Sequence, residues 1–183
     1  MPEVTGGSVT GGSVPALAGL VREIPDYPSP GIVFKDITPV LQRAEALADA
    51  VAALASPFVG RVDAVAAIEA RGFILGAPVA VVLGAGFVPL RKAGKLPFDT
   101  LSEGYTLEYG TSELEVHVDA LEPDWRVLVV DDVLATGGTA AAAAQLVRRT
   151  GAELVGIAVL LEIVALGGRG QLPGVDVHAL VAG

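Results

Sequence analysis

Residues 126 to 139 read Arg-Val-Leu-Val-Val-Asp-Asp-Val-Leu-Ala-Thr-Gly-Gly-Thr, an apolar run followed by two acids and then by small residues. The run from Val127 to Val130 is unbroken and rich in β-branched residues. It predicts a strand that is buried on both faces of a parallel sheet and ends at the two acids. The alanine run after Thr139 predicts a helix. Strand, small-residue loop and helix in this order indicate an α/β fold with binding loops at the carboxyl edge of the sheet.

The loop after this strand has the composition of an anion site. It consists of Ala135, Thr136, Gly137, Gly138 and Thr139. Loops without bulky side chains let backbone N–H groups converge, and the following helix adds its own N–H groups and the positive end of its dipole. One alternative is that the two threonines only cap the helix. We favour a phosphate site, and the absence of a lysine from residues 126 to 139 argues against a Walker A loop.

Asp131 and Asp132 precede the loop and would repel a phosphate placed beside them. A solvated pair of acids at a strand end is one interpretation. The other is that the carboxylates accept hydrogen bonds from the 2- and 3-hydroxyls of a ribose whose 5-phosphate occupies the loop.

Composition limits the classes of partner. The chain has 183 residues and a net charge of −9, with no basic cluster large enough to offset it, so nucleic acid and anionic membrane are unfavourable partners. Cysteine is absent, which excludes disulfides and thiolate sites and fits a cytoplasmic protein. Residues 1–14 predict a disordered leader, and residues 15–183 predict a single domain.

The uncharged stretch from Gly72 to Leu90 is long enough to resemble a membrane span. Glycines and prolines interrupt it. They divide it into a helix near residues 74–83 and a strand at residues 87–90, which predicts buried elements of a globular domain.

Two segments upstream of residue 72 carry candidate ligand contacts. A proline-rich loop leads to Ile32, Phe34 and Lys35; Phe34 is either an ordinary core residue or a ring that stacks on a flat ligand. A predicted strand at residues 62–68 ends in Glu69-Ala70-Arg71-Gly72. Glu69 and Arg71 form a surface pair in one interpretation, whereas in the other Arg71 binds a second phosphate group.

Two further segments follow the predicted strand at residues 87–90. Arg91, Lys92 and Lys95 form a solvated basic turn or, as we favour, a site for pyrophosphate charge. Residues 101–118 alternate apolar and polar side chains around a turn at residues 110–112, which predicts a two-stranded ribbon outside the parallel sheet that acts as a lid. Glu108 on this ribbon is an exposed acid or a catalytic one.

Four stretches together resemble a known family. Two acids followed by Ala-Thr-Gly-Gly-Thr resemble the phosphoribosyl pyrophosphate signature of type I phosphoribosyltransferases. The segment from Tyr27 to Leu41 is similar, nearly residue for residue, to the N-terminal segment of the adenine phosphoribosyltransferase family. Glu-Ala-Arg-Gly-Phe at residues 69–73 resembles its pyrophosphate loop, and residues 102–110 resemble its flexible catalytic loop.

The resemblance implies a type I phosphoribosyltransferase fold, a parallel sheet flanked by helices, with an N-terminal hood at about residues 24–40 and a flexible β-ribbon lid at about residues 99–118. It implies transfer of a 5-phosphoribosyl group from 5-phosphoribosyl 1-pyrophosphate to N9 of adenine, giving AMP and pyrophosphate in purine salvage. It further implies Mg²⁺ held mainly by substrate and water, and a homodimer.

The resemblance also assigns roles to residues of this sequence. Contacts with adenine are assigned to Ile32, Phe34 and Lys35, although Lys35 occupies a position where other members of the family carry arginine. Pyrophosphate is assigned to Arg71, Arg91, Lys92 and Lys95. The ribose and its 5-phosphate are assigned to Asp131, Asp132 and residues 135–139, and proton exchange with the purine is assigned to Glu108. A transferase for a 6-oxopurine or orotate, and a non-enzymatic sensor of purine or phosphoribosyl pyrophosphate, are the alternatives.

Overall fold

The computed structural model describes residues 14–107 and 110–183. The chain divides into two compact units, residues 1–49 and residues 50–183. Helix α3, Ala44–Ala55, begins in the first unit and ends in the second.

The first unit contains a short helix α1, Val14–Ala18, two strands and a second short helix. The strands β1, Arg22–Pro25, and β2, Val33–Asp36, pair antiparallel, with Ile24 opposite Phe34. The connection between them turns at Gly31, where φ is +86° and the N–H donates to Asp26 Oδ1 at 2.7 Å. Helix α2, Thr38–Leu41, follows, and the Asp36 carboxylate accepts hydrogen bonds from the Thr38 N–H and hydroxyl.

The second unit alternates strands and helices. Its elements are a 3₁₀ turn at Ser56–Phe58, β3 Ala64–Ile68, α4 Arg71–Leu83, β4 Gly86–Lys92, β5 Thr100–Leu107, β6 Gly110–His117, β7 Arg126–Leu134, α5 Gly138–Arg149, β8 Glu153–Glu162 and β9 Val177–Ala182. Two 3₁₀ turns, Val164–Leu166 and Gly168–Gln171, separate β8 from β9.

Within the described residues these strands form one sheet in the order β5-β6-β4-β3-β7-β8-β9. The pairs from β4 to β9 are parallel, and β5 and β6 add an antiparallel edge. All five residues of β3 are buried, as expected for the centre of a parallel sheet covered on both faces. The predicted α/β architecture with a mainly parallel sheet flanked by helices is confirmed.

Alternate residues of the central strands face different helices. A Cβ atom on Gly76 of α4 would lie 2.5 Å from the Ala67 Cβ, so Ala67 faces α4. The neighbouring Ala66 belongs to a buried cluster with Val129 and Leu146 of α5. Helices α4 and α5 therefore cover opposite faces of the sheet.

Three details of the predicted elements were wrong. The acids do not end strand β7, which continues to Leu134 because Asp131, Val133 and Leu134 still pair with β8. The ribbon does not lie outside the sheet, since β6 pairs with β4 at Arg91 and Lys92. The residues predicted to form its turn, 110–112, belong to β6.

The uncharged stretch at residues 72–90 forms most of α4 and the start of β4, which confirms its division into a helix and a strand. No helix in the described ranges combines the length and apolar character that crossing a bilayer requires.

Candidate functional site

The predicted ligand residues of the second unit gather at the carboxyl ends of three adjacent strands. Ala67 of β3 is paired with Pro89 of β4 and with Val130 of β7, so the three strands run side by side near the end of β3. Glu69, directly after β3, consequently lies at the same edge of the sheet as Arg91 of β4 and Asp131 of β7. This edge is where α/β folds bind their ligands.

The small-residue loop connects the end of β7 to the N-terminus of α5, as the sequence predicts. Helix α5 begins at Gly138 and makes its first intrahelical bond from the Ala141 N–H to Gly137 O, at 2.9 Å. The N–H groups of residues 138 to 140 therefore precede the helical hydrogen-bond ladder. Gly137 adopts a φ of +88°, and no described side chain caps this end of the helix. Backbone donors and the helix dipole make this end suited to a phosphate.

Arg71 and Asp132 come together at this edge although they are distant in sequence. Arg71, the first residue of α4, donates from Nε to Asp132 Oδ2 at 2.5 Å. The Asp132 side chain is 9% exposed, whereas that of Arg71 is 45% exposed. The predicted pyrophosphate ligand thus lies beside a predicted ribose ligand, and the guanidinium balances the charge of a buried carboxylate.

Gly72 brings the start of α4 against the two acids. A Cβ atom at this position would lie 2.8 Å from Asp131 Oδ1 and 3.0 Å from Val130 O. Glycine is therefore required sterically for the helix to approach the strand this closely.

Asp131 has an unusual electrostatic environment. Burial raises the pKa of its carboxyl group well above the ordinary value, and the neighbouring charge of Asp132 raises it further. The charge of Arg71 opposes both effects. One Asp131 oxygen accepts a hydrogen bond from the Asp132 N–H at 2.8 Å. The pair is suited to accept hydrogen bonds from a bound diol.

The predicted basic segment contributes one paired and two exposed cations. Arg91 donates to Glu69 Oε2 at 2.8 Å and to Lys95 O at 2.9 Å. Lys92 and Lys95 are exposed. Glu69 and Arg71 do not form the surface pair considered from sequence, because Glu69 pairs with Arg91 and Arg71 with Asp132. The Glu69–Ala70 peptide bond is cis.

The residues predicted to contact the base lie in the first unit, on β2 or directly before it. Phe34 is half-buried, and its ring packs edge-on against Tyr27 with the centroids 5.3 Å apart. The Lys35 ammonium forms an ion pair of 2.5 Å with Glu23 on the neighbouring strand. Glu108, the predicted catalytic acid, lies outside the described residues.

A cleft of about 470 Å³ opens beside the small-residue loop at residues 135–139, and this volume is typical of small-molecule sites. Its wall comprises Glu103, Gly104, Tyr105, Thr136, Gly138, Ala141, Ala142, Gln145 and Gln171. The ribbon therefore forms one side of the cleft, and the loop with the first turns of α5 forms another.

The sequence did not predict that residues 167–171 pack against the small-residue loop, residues 135–139, which is called the phosphate loop below. Gly168 lies against Ala135 and Gly137, and Arg169 pairs with Glu162. The glycine-rich run at residues 167–170 was visible in the sequence, but no local pattern indicates that it contacts a loop thirty residues earlier.

Comparisons with known proteins agree with this geometry. Residues 38–172 match the family model described as a phosphoribosyl transferase domain. An adenine phosphoribosyltransferase from Thermobifida fusca is 62% identical over 161 residues, covering 87% of this chain and 92% of the relative. The crystal structure of an adenine phosphoribosyltransferase from Rhodothermus marinus is 53% identical with a TM-score of 0.87, covering 92% of this chain and 97% of that one. An adenine phosphoribosyltransferase from Saccharomyces cerevisiae, complexed with an imino-altritol bisphosphate and adenine, is 35% identical with a TM-score of 0.87, covering 91% and 97%.

Proposed function

Since the chain belongs to the adenine phosphoribosyltransferase family, we propose that it is a pentosyltransferase that transfers the 5-phosphoribosyl group of 5-phosphoribosyl 1-pyrophosphate to N9 of adenine. The products are AMP and pyrophosphate, so the reaction belongs to purine salvage. The observation that carries the proposal is the meeting of the phosphate loop, two acids and Arg71 at one edge of the sheet.

The ribosyl 5-phosphate group is assigned to the loop and the first turn of α5. Backbone donors of residues 135–139 surround it, and the hydroxyls of Thr136 and Thr139 supply further donors. Asp131 and Asp132 accept hydrogen bonds from the ribose hydroxyls. The cleft of about 470 Å³ beside Thr136 and Gly138 supports this assignment.

The leaving pyrophosphate is assigned to four cations. Breaking the bond between C1 and the pyrophosphate oxygen leaves positive charge on the ribose and negative charge on the leaving group, and fixed cations stabilise the latter. Arg71, at the N-terminus of α4, is half-exposed beside the ribose acids. Arg91 and Lys92 are the last two residues of the neighbouring strand β4, and Lys95 lies shortly after it; these three cations supply the remaining charge.

The incoming base attacks C1 through N9 from the face opposite the pyrophosphate. Glu108 exchanges a proton with the purine, and closure of the ribbon excludes water that would otherwise hydrolyse the ribosyl cation. This role rests on the resemblance of residues 102–110 to the flexible catalytic loop of the family. No covalent intermediate with the protein is required.

Adenine is assigned to Ile32, Phe34 and Lys35. Backbone groups of this segment accept from the adenine amino group and donate to N1, a pattern that a 6-oxopurine would leave unpaired. The Lys35 side chain is engaged by Glu23, which supports a role through its backbone and explains how lysine substitutes for the family's arginine.

Magnesium fits this site as a partner of the substrate. In the described parts of the chain no three His, Asp or Glu side chains are grouped to hold a metal, and Asp132 is already engaged by Arg71. Oxygens of the substrate and water, which are the hard ligands that Mg²⁺ prefers, would therefore hold the ion. When bound, the ion neutralises pyrophosphate charge.

The protein is proposed to act as a homodimer in the cytoplasm. Helix α4 presents exposed apolar side chains, of which Val81 is 81% exposed and Ile74, one heptad earlier, 46%. Phe87 at the start of β4 is 39% exposed and lies shortly before the basic segment. An apolar face of this kind supports association between copies, and some of the nearby cations then serve the partner's site. A chain without cysteine is suited to a reducing compartment.

Pyrophosphate release with adenine, hypoxanthine and orotate tests the activity. We expect AMP from adenine in the presence of Mg²⁺ and no comparable rate with the other bases. Preference for hypoxanthine or orotate would assign another transferase of the family, and binding without turnover would assign a sensor.

The site assignment is tested with Glu108→Ala. Turnover should fall by about 100-fold or more, the usual contribution of a general acid or base, while affinity for the ribosyl donor changes little. Glu113→Ala removes an exposed acid of the same ribbon and serves as the matched control. Asp132→Ala and Thr139→Ala should instead weaken binding of the donor. Wild-type turnover in Glu108→Ala would remove this residue from the mechanism.

A further inference from the structure

The phosphate loop, residues 135–139, packs against the backbone of a second loop, residues 167–171. A Cβ atom on Gly168 would lie 2.3 Å from Ala135 O, and one on Gly137 would lie 2.3 Å from Gly168 O. Neither approach leaves room for a side chain. Gln171 of the same segment also lines the cleft beside Thr136. The position of residues 168–171 therefore sets the position of the phosphate loop.

One ion pair holds this second loop in place. Arg169 donates from Nε to both oxygens of Glu162, at 2.8 and 3.0 Å, and from Nη2 to Oε2 at 2.7 Å. Its Nη1 donates to Val177 O on β9 at 3.0 Å. The Glu162 carboxylate is almost fully buried, and its pairing with Arg169 satisfies its charge.

The same ion pair is connected to the strand that leads into the phosphate loop. Glu162 is the last residue of β8 and is paired with Leu134, the last residue of β7. The next residue, Ile163, donates its N–H to Leu134 O at 2.9 Å. The carboxylate that anchors Arg169 is thus fixed relative to the residue immediately before Ala135.

We propose that Glu162 and Arg169 are positioning residues for the ribosyl donor: their ion pair fixes Gly168 against residues 135–137 and thereby aligns the backbone N–H groups that bind the 5-phosphate. The proposal rests on the proposed function for the identity of the ligand. Loss of the ion pair should affect only the donor, because a misaligned loop weakens binding of the donor and leaves the binding of adenine unchanged.

The chain contains a matched control for this ion pair. At the opposite end of β7, Arg126 donates from Nε and Nη2 to the two oxygens of Asp63, at 2.9 and 2.8 Å, and from Nη1 to Gly60 O at 3.0 Å. The Arg126 and Arg169 side chains are 41% and 51% exposed, whereas the Asp63 carboxylate is 37% exposed and that of Glu162 only 10%. Removing Arg169 leaves the more buried carboxylate unpaired and should cost more stability than removing Arg126. The selective change in donor binding, and not the loss of stability, therefore distinguishes the two variants.

The experiment compares Arg169→Ala with Arg126→Ala in the full-length chain. Thermal unfolding, kcat, the KM values for 5-phosphoribosyl 1-pyrophosphate and adenine, and the direct affinity for ribose 5-phosphate are measured for both. In Arg169→Ala, we expect the KM for the donor to rise and the affinity for ribose 5-phosphate to fall about tenfold. This change corresponds to the loss of about one charge-assisted hydrogen bond. We expect kcat and the KM for adenine to change by less than about threefold. Arg126→Ala should lower the unfolding temperature without the selective change in KM.

Two further variants keep the test decisive if Arg169→Ala does not fold. Gly168→Ala leaves the ion pair in place but displaces the segment from Ala135 O, so it should reproduce the rise in KM for the donor. Arg169→Lys retains the charge without the bidentate contact and should give an intermediate KM for the donor.

The proposal would be overturned if the KM for the donor changed equally in Arg169→Ala and Arg126→Ala, or if donor binding were unchanged in Gly168→Ala. Failure of the wild-type protein to form AMP would overturn the proposed function instead. The affinities for ribose 5-phosphate would still decide whether the ion pair positions the loop.

Discussion

At Asp131, the proposed binding of ribose and the stability of the fold favour opposite ionisation states of the carboxyl group. Its carboxyl group lies beside Asp132, and a Cβ atom on Gly72 would touch it, so the start of α4 closes over it. Burial and the charge of Asp132 raise its pKa. An ionised Asp131 is suited to bind ribose hydroxyls, but its ionisation destabilises the fold.

The pH dependence of stability follows from the raised pKa of Asp131. An acid whose pKa is higher in the folded state contributes its full stability below the unfolded value of 3.8, and this contribution is lost as the pH rises through the folded value. Asp131→Asn should therefore raise the unfolding temperature at pH 7 by a few degrees, since each kcal/mol corresponds to about 2–4 °C for a chain of this size. The difference from wild type should shrink as the pH approaches 3.8.

Thermal unfolding across this pH range checks the prediction, with Asp119→Asn as a control at an exposed acid. The same Asp131→Asn variant should bind the ribosyl donor more weakly. An unfolding temperature below that of wild type at pH 7 would show that the ionised carboxylate stabilises the fold.

At the scale of the element, helix α5 connects the phosphate loop to the ribbon. Its N-terminus carries Gly138 and Thr139, and Arg149 at its other end donates to Ser102 O and to Glu103 Oε2 of β5, the latter at 2.9 Å. The helix thus holds both the loop that is proposed to bind the phosphate and strand β5 of the ribbon. Such a connection restrains the ribbon without immobilising it, because an exposed ion pair contributes only about 0.2–1 kcal/mol.

Arg149→Ala should release this restraint. We expect amide hydrogen exchange in residues 100–105 to accelerate about two- to fivefold, in proportion to the free energy of an exposed pair, while β7 to β9 exchange as before. Hydrogen exchange followed by mass spectrometry measures the effect. Arg148→Ala, a change of the adjacent exposed arginine, is the control; equal acceleration in both variants would contradict a specific restraint by Arg149.

At the scale of the whole molecule, the proposed homodimer is supported by the exposed apolar side chains of α4. Val81, Val82 and Ile74 are between 46% and 81% exposed on a helix whose only charged residue is Arg71. An apolar helix face left in water is unusual for a monomer.

Val81→Glu should convert the dimer to a monomer. The charge would be buried in the contact, which is strongly unfavourable without a partner. Light scattering with size-exclusion chromatography should give about twice the single-chain mass of 18.5 kDa for the wild type and the single-chain mass for the variant. Val59→Glu, at a site 67% exposed outside α4, should leave the mass unchanged. A monomeric wild type would refute the proposed dimer.

The sequence by itself determined the order of elements and the place of the main loop. Unbroken β-branched runs predict buried strands, and the small residues after Leu134 predict a backbone anion site, because both signals arise within a few neighbouring residues. Gly137 and the N-terminus of α5 appear where this local chemistry places them.

Only the tertiary structure decided which charges meet. Arg71 pairs with Asp132 across 61 positions of sequence, and Glu69 with Arg91 across 22, because β4 and β7 lie on either side of β3 in the sheet. The extension of β7 to Leu134 likewise depends on a partner strand. The support of the phosphate loop by Gly168 has no local signal at all, since strand register and the close approach of two backbones are properties of residues that are far apart along the chain.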